Sequence, residues 1–178
     1  HRAVEKIAER QTWHQFIPYL ARVDYLAGAA NDLPYLLALE TLADINVPQR
    51  AQVIRVMLSE FFRLSNHLVW LATYAHDVGA MTPNFYTFRE REMILAFFEK
   101  TTGLRMNHNY IRPGGVAADL PDGWRSDVEE IIRLVEAGLA DYEGILNANP
   151  IFIERTQGVG VITPEETRAF SVTGPIAR

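Results

Sequence analysis

Between Pro48 and His76 nearly every side of a helical wheel carries an apolar residue, among them Val53, Ile54, Met57, Leu58, Phe61, Phe62, Leu68 and Trp70. No glycine or proline interrupts the run after Pro48, so the pattern predicts one helix of roughly 43 Å at 1.5 Å per residue. A helix that is apolar all round is stable only inside a larger body. The expectation is therefore a long buried rod within a helical bundle. It is not a membrane span, because Arg63, Asn66, His67, His76 and Asp77 keep the apolar stretches below the ~20 residues that a bilayer requires. Glu60, Arg63 and His67 fall at i, i+3 and i+7 and form one polar line on the rod. Buried charges need partners, and the line reads as a structural ion-pair network that fixes helix register.

The remaining chain is also mostly helical. Apolar positions from Ala3 to Tyr19 recur on a helical period, and Pro18 is expected to end or kink that helix. Asn31 or Asp32 is placed to cap a second helix with Pro34 in its first turn. A fourth helix opens at Thr82 or Pro83 and closes at Gly103. Leu104 to Asp122 carries the turn chemistry Arg-Pro-Gly-Gly-Val and Leu-Pro-Asp-Gly, which predicts an ordered loop with a short strand at Tyr110-Ile111. A fifth helix covers Trp124 to Ala148, a short helical piece follows Asn149-Pro150 as far as Thr156, and Thr163-Pro-Glu-Glu166 is a capping-box signature. The fold class is all-α for the most part, a single segment over residues 1–178. Starting inside a helical pattern with neither an initiator Met nor a signal peptide, it reads as a fragment of something longer.

Composition excludes several kinds of chemistry. The chain has no cysteine, which removes disulfides, thiolate zinc sites, thiol nucleophiles and an iron–sulfur cluster held on its own sulfurs. A formal charge of −5 without a basic stripe argues against nucleic-acid binding. No histidine lies three residues after a glutamate, so a carboxylate-bridged di-iron bundle is not encoded, and no metal site is expected.

Three polar features stand out. The run Arg89-Glu-Arg-Glu92 reads as a solvated face or as helix-to-helix salt bridges. Arg22-Val-Asp-Tyr25 follows the Pro18 break, where a phenol is able to hydrogen-bond a carbonyl ligand; a phenol meeting a neighbouring group is the commoner arrangement. Asp77 ends the long helix, where the negative end of the dipole disfavours a carboxylate and calls for a cation or histidine from elsewhere.

Taken in order, His1-Arg-Ala-Val-Glu-Lys6, Arg22-Val-Asp-Tyr25, Val47-Pro-Gln-Arg-Ala51, Ser65-Asn-His-Leu68, Asp77-Val-Gly-Ala80, Phe88-Arg-Glu-Arg-Glu92, Asn109-Tyr-Ile-Arg-Pro-Gly-Gly-Val116, Asn149-Pro-Ile-Phe152 and Arg155-Thr-Gln-Gly-Val-Gly160 closely resemble the quinone-site subunit (the D-type subunit) of proton-pumping NADH:quinone oxidoreductase, respiratory complex I. The resemblance covers essentially the whole chain, and it implies a little under half of a hydrogenase-large-subunit-like fold. It implies that Tyr25 hydrogen-bonds one quinone carbonyl and that Asp77 pairs with a histidine from an N-terminal loop outside this sequence. Arg2 and Arg22 would flank an iron–sulfur cluster ligated by the neighbouring subunit. That iron–sulfur subunit and other complex I subunits would be the partners, with quinone as substrate and NAD(H) entering at the level of the complex. For a bacterial source the resemblance implies a peripheral position on the cytoplasmic face of the inner membrane.

Departures from the family pattern are few. Ala3 stands where members usually have Gly, and Asn107 replaces a histidine that tunes the cluster in many members, so that role is transferred neither to it nor to His108. The related nickel–iron hydrogenases would need Cys at Asp24 and Ala27, Gly at Tyr25 and His at Asn31, so a soft nickel site is not encoded. A non-catalytic scaffold that docks the iron–sulfur subunit is the alternative from another class.

Overall fold

In a computed structural model, which describes residues 3–174 and 177, the long apolar run forms α4 (Gln49–Asp77), a helix of 29 residues. It is preceded by α1 (Val4–Ala8), α2 (Trp13–Leu20) and α3 (Gly28–Leu42). After it come α5 (Thr82–Thr102), a hairpin of β1 (Ile111–Arg112) and β2 (Gly115–Val116), then α6 (Trp124–Leu146), α7 (Pro150–Thr156) and α8 (Pro164–Ala169). The two strands pair antiparallel, with Ile111 opposite Val116. The chain is therefore mostly α, as the periodicity requires.

α4 packs between α3 and α5, and α6 covers the far side of α5. The α4–α5 seam is aromatic: Phe62 stacks on Phe98 with ring centroids 4.2 Å apart, and Phe61 meets Phe97 at 5.4 Å. Such pairs add about 0.5–1.5 kcal/mol beyond their burial. Leu36 and Leu39 of α3, Ile54 and Leu58 of α4, Ile94 of α5, and Ile131 and Val135 of α6 complete one continuous core.

Several expectations are corrected. The predicted first helix is two, because Thr12 and Gln15 form a reciprocal capping box that restarts the helix at Trp13. Pro18 sits inside α2 rather than ending it; the helix runs on to Leu20 and closes in tight turns, Arg22 N–H to Tyr19 O and Val23 N–H to Leu20 O. α3 begins at Gly28, a full turn before Asn31 and Asp32, so neither residue caps it and Pro34 lies in its interior. The early start comes from the preceding turn. Asp24 Oδ1 accepts from the Leu26 N–H, and the Asn31 amide donates back to the carbonyls of Asp24 and Ala27.

α4 is not buried all round within the described residues. One face is withdrawn from solvent, whereas Val53, Val56 and Trp70 are 62%, 57% and 56% exposed. Glu60, Arg63 and His67 lie on the exposed side too. Arg63 does donate to Glu60 at 3.0 Å, but both are solvated, and exposed pairs at this spacing contribute only about 0.3–0.5 kcal/mol. The His67 side chain is exposed and is not part of this pair.

Candidate functional site

The buried charge network of α4 lies elsewhere. Arg55 points from its buried face, Nη1 and Nη2 donating to the two Glu40 carboxylate oxygens of α3 at 2.9 and 2.6 Å. Its Nε and Nη2 also donate to the Gly115 carbonyl, and Nη2 to that of Arg112. Glu40 in turn accepts from the Gly114 N–H at 2.8 Å. The fork of a guanidinium satisfies a carboxylate and a chain reversal at once, so the Arg-Pro-Gly-Gly hairpin is riveted to α3 and α4. The Arg55 bond holds the Glu40 carboxyl below its ordinary range, against the opposing effect of burial. Pattern reading passed over this pair, although an arginine flanked by Ile54 and Leu58 on an apolar face was a usable signal.

This rivet also sets helix direction. Glu40, near the end of α3, meets Arg55 near the start of α4, while Gly28, which opens α3, approaches the Phe62 ring. α3 thus runs antiparallel to α4, and the turn that precedes it points toward the end of α4 that carries Asp77. On this turn Tyr25 is 56% exposed and Arg22 is exposed beside it. Arg22 folds back to donate to the Pro18 carbonyl, and with Gln11, Gln15, Pro18 and Tyr19 it lines an open groove of about 440 Å³.

Close by lies Asp32, 2% exposed, whose Oδ1 has no hydrogen-bond partner among the described residues. Burial pushes this carboxyl up to about 7, only partly offset by the Arg22 charge.

Asp77 is exposed at the last turn of α4. The helix closes there with a Schellman arrangement: Ala80 N–H reaches Ala75 O at 2.7 Å and Gly79 N–H reaches His76 O at 2.9 Å. Gly79 supplies the left-handed residue, with φ +97°. A cation sits beside this C-terminus, since Arg155 of α7 donates to the Val78 carbonyl at 2.6 Å. Tyr25 is exposed on the turn before α3, whose first residue Gly28 approaches Phe62 midway along α4, and Asp77 is exposed at the C-terminal end of α4. Arg2 falls outside the described residues.

The run Arg89 to Glu92 is divided between surface and interior. Glu90 is 2% exposed, accepting from Arg89 Nε at 2.9 Å and from the Tyr142 hydroxyl of α6 at 2.8 Å, whereas Glu92 pairs with Arg105 at the surface. His108 is buried edge-on against the stacked Phe62 and Phe98 rings, 4.7 and 5.1 Å away, with Nε2 2.6 Å from the Leu104 carbonyl. A carbonyl only accepts, so Nε2 carries the proton and Nδ1 is left bare. Among the described residues there is no group of three or more His, Asp or Glu able to hold a metal ion, and no helix is long and apolar enough to cross a membrane.

The chain is thus a helical bundle with solvent-facing polar groups on the turn before α3 (Arg22, Tyr25) and at the C-terminal end of α4 (Asp77, with Arg155 beside it). The sequence profile described as "Respiratory-chain NADH dehydrogenase, 49 Kd subunit" matches residues 77–178, and the chain belongs to that family. The D-type subunit of NADH-quinone oxidoreductase from Geobacter sulfurreducens is 49% identical over all 178 residues, which cover 46% of the relative. The C/D-type subunit from Methylococcus capsulatus is 49% identical over 174 residues, 98% of this chain and 30% of that one. The chloroplastic H-type subunit of NAD(P)H-quinone oxidoreductase from Pelargonium hortorum is 47% identical over 178 residues and 45% covered. The chain thus spans under half the length of the curated relatives it matches.

Proposed function

We infer that this chain supplies part of the quinone-headgroup site of a complex I-type NADH:quinone oxidoreductase. The observation that carries the reading is the open position of Tyr25, 56% exposed on the turn that leads into α3 with the exposed Arg22 on the same turn. A phenol there donates a hydrogen bond to a quinone carbonyl, favours the charge that grows on that oxygen during reduction, and is able to deliver a proton. Asp77 orients and charges a histidine contributed from outside these residues, which holds the second carbonyl.

Having no thiolates, the chain leaves ligation of the iron–sulfur cluster to the neighbouring subunit, and that cluster supplies the electrons when bound. The exposed Arg22 guanidinium fits a place beside such a cluster, where positive charge favours the reduced state, and the family pattern assigns the same role to Arg2. Coupling to proton translocation, entry of NAD(H) and a peripheral seat at the cytoplasmic face of the inner membrane belong to the assembled complex. Other complex I subunits are the partners.

The reading is tested with Tyr25→Phe and Asp77→Asn in the intact complex. Quinone reduction should drop by roughly 10²-fold or more for loss of a proton-delivering group, while the terminal cluster keeps its electron-paramagnetic signal. Near-normal turnover in both variants would favour the scaffold reading, which the exposed Trp70, Phe85 and Val159 also suit as a docking surface.

A further inference from the structure

The geometry points to Arg155 as a positioning residue for Asp77, acting through the Val78-Gly79 turn; this rests on the quinone-site reading above. Arg155 Nη1 donates to the Val78 carbonyl at 2.6 Å, joining residues 77 apart in sequence one peptide beyond Asp77. That carbonyl is among the last of α4, which no further helical N–H completes. Gly79 adopts φ +97°, and a Cβ at that position would overlap the Arg155 guanidinium. The tip of the arginine therefore occupies the space that only a glycine leaves free.

Two further contacts aim the arginine. Asn149 caps α7, its side chain accepting from the Ile151 and Phe152 N–H groups, and so fixes the direction in which the helix leaves α6. Phe152 then meets the Tyr74 ring edge-on at 6.4 Å, pressing α7 against the last turns of α4. Arg155 follows one turn after Phe152 on the same helix, which brings its guanidinium to the exposed carbonyls.

Asp77 is at the C-terminal end of a helix, where its side chain is disfavoured by the dipole and has no intrahelical donor. A cation on the adjacent carbonyl offsets that dipole and pins the turn, so the carboxylate direction is held rather than frayed. Misplacement of a reacting partner by about 1 Å can cost up to ~10²-fold in rate, and the bond from Arg155 is the restraint against it.

The test uses the assembled complex with Arg155→Met, Arg155→Lys and Gly79→Ala in the full-length protein. The probes are a short-chain ubiquinone analogue and, as control, ferricyanide reduction by NADH, which bypasses the quinone site. Arg155→Met is expected to lower quinone turnover roughly 10–100-fold and to leave ferricyanide activity and the cluster signal in place. Gly79→Ala, which both strains the φ +97° turn and pushes the guanidinium off the carbonyl, should lose at least as much, and Arg155→Lys, still a donor, should recover most of the Arg155→Met loss. Wild-type quinone kinetics in Arg155→Met, equal loss of both activities, or no recovery with Lys would each overturn the inference. If Asp77→Asn alone is crippled while Arg155→Met is normal, only the positioning role fails; if Asp77→Asn is normal, the quinone-site reading fails first.

Discussion

Arg55 and Glu40 form a two-pronged ion pair, 2.6 and 2.9 Å, with side chains only 2% and 5% exposed. The pair joins α3 to α4, and through Gly114 and Gly115 it holds the hairpin in register with both. Among the described residues it is the most heavily bonded polar feature, and it fixes the antiparallel course of α3 along the first half of α4.

Removing one member should therefore be costly. Arg55→Met leaves the Glu40 charge buried with only the Gly114 N–H and removes the Arg55 donors from two hairpin carbonyls, and should destabilise the full-length protein by about 3–5 kcal/mol. Denaturant unfolding at pH 7 measures this, and a loss below about 1 kcal/mol would show the pair to be dispensable. Because Glu40 is depressed relative to its unfolded value, its contribution is complete above the ordinary carboxylate range and is lost as pH falls through the depressed value.

Asp32 has the opposite sign. Its folded value of about 7 lies above the ordinary aspartate value of 3.8, so the folded state keeps a proton that the unfolded chain releases. The associated stability is full below about 4 and is lost as pH rises toward 7. Asp32→Asn should raise the melting temperature at pH 8, by an amount worth roughly 1–3 kcal/mol, and give no gain at pH 4. Equal effects at both pH values would contradict a protonation cost at this site.

His108 titrates downward to about 4, because burial against the stacked Phe62 and Phe98 rings outweighs the Leu104 hydrogen bond that favours the charged form. Its stability contribution is present above the ordinary value of 6.5 and disappears as pH falls through about 4. Nitrogen-15 NMR of the imidazole should show the neutral tautomer protonated on Nε2 at pH 5.5; an imidazolium signal there would be the contrary result. Between pH 4 and 6.5 the Asp32 and His108 slopes oppose each other, so the acid limb should steepen in Asp32→Asn.

Much of the fold is legible in local sequence because local physics decides it. The α4 run, the left-handed Gly103 stop, the Thr163–Glu166 capping box and the Arg-Pro-Gly-Gly turn each rest on a few adjacent residues. Where reading along the chain went astray, a longer-range or competing contact won. Thr12 and Gln15 split the first helix, and the Asp24 turn with Asn31 started α3 early. For the candidate site, the ordered motifs indicated Arg22, Tyr25 and Asp77, whereas Asp32 reads only as a helix cap and Arg155 only as part of a motif, neither with the contact it makes. Their significance depends on what surrounds them, and spacing along the chain carries none of that.

Periodicity, turn chemistry and the ordered motifs were enough to determine a mostly helical chain of this family, with no thiolate of its own to hold a redox metal. Only tertiary structure decided which side of α4 is covered, that Arg55 rather than Arg63 bears the buried pair, and that Arg155 reaches the Asp77 turn. The reason is physical. A helix repeat states which residues share a face, but burial, desolvation and hydrogen bonding depend on the distant chain brought against that face.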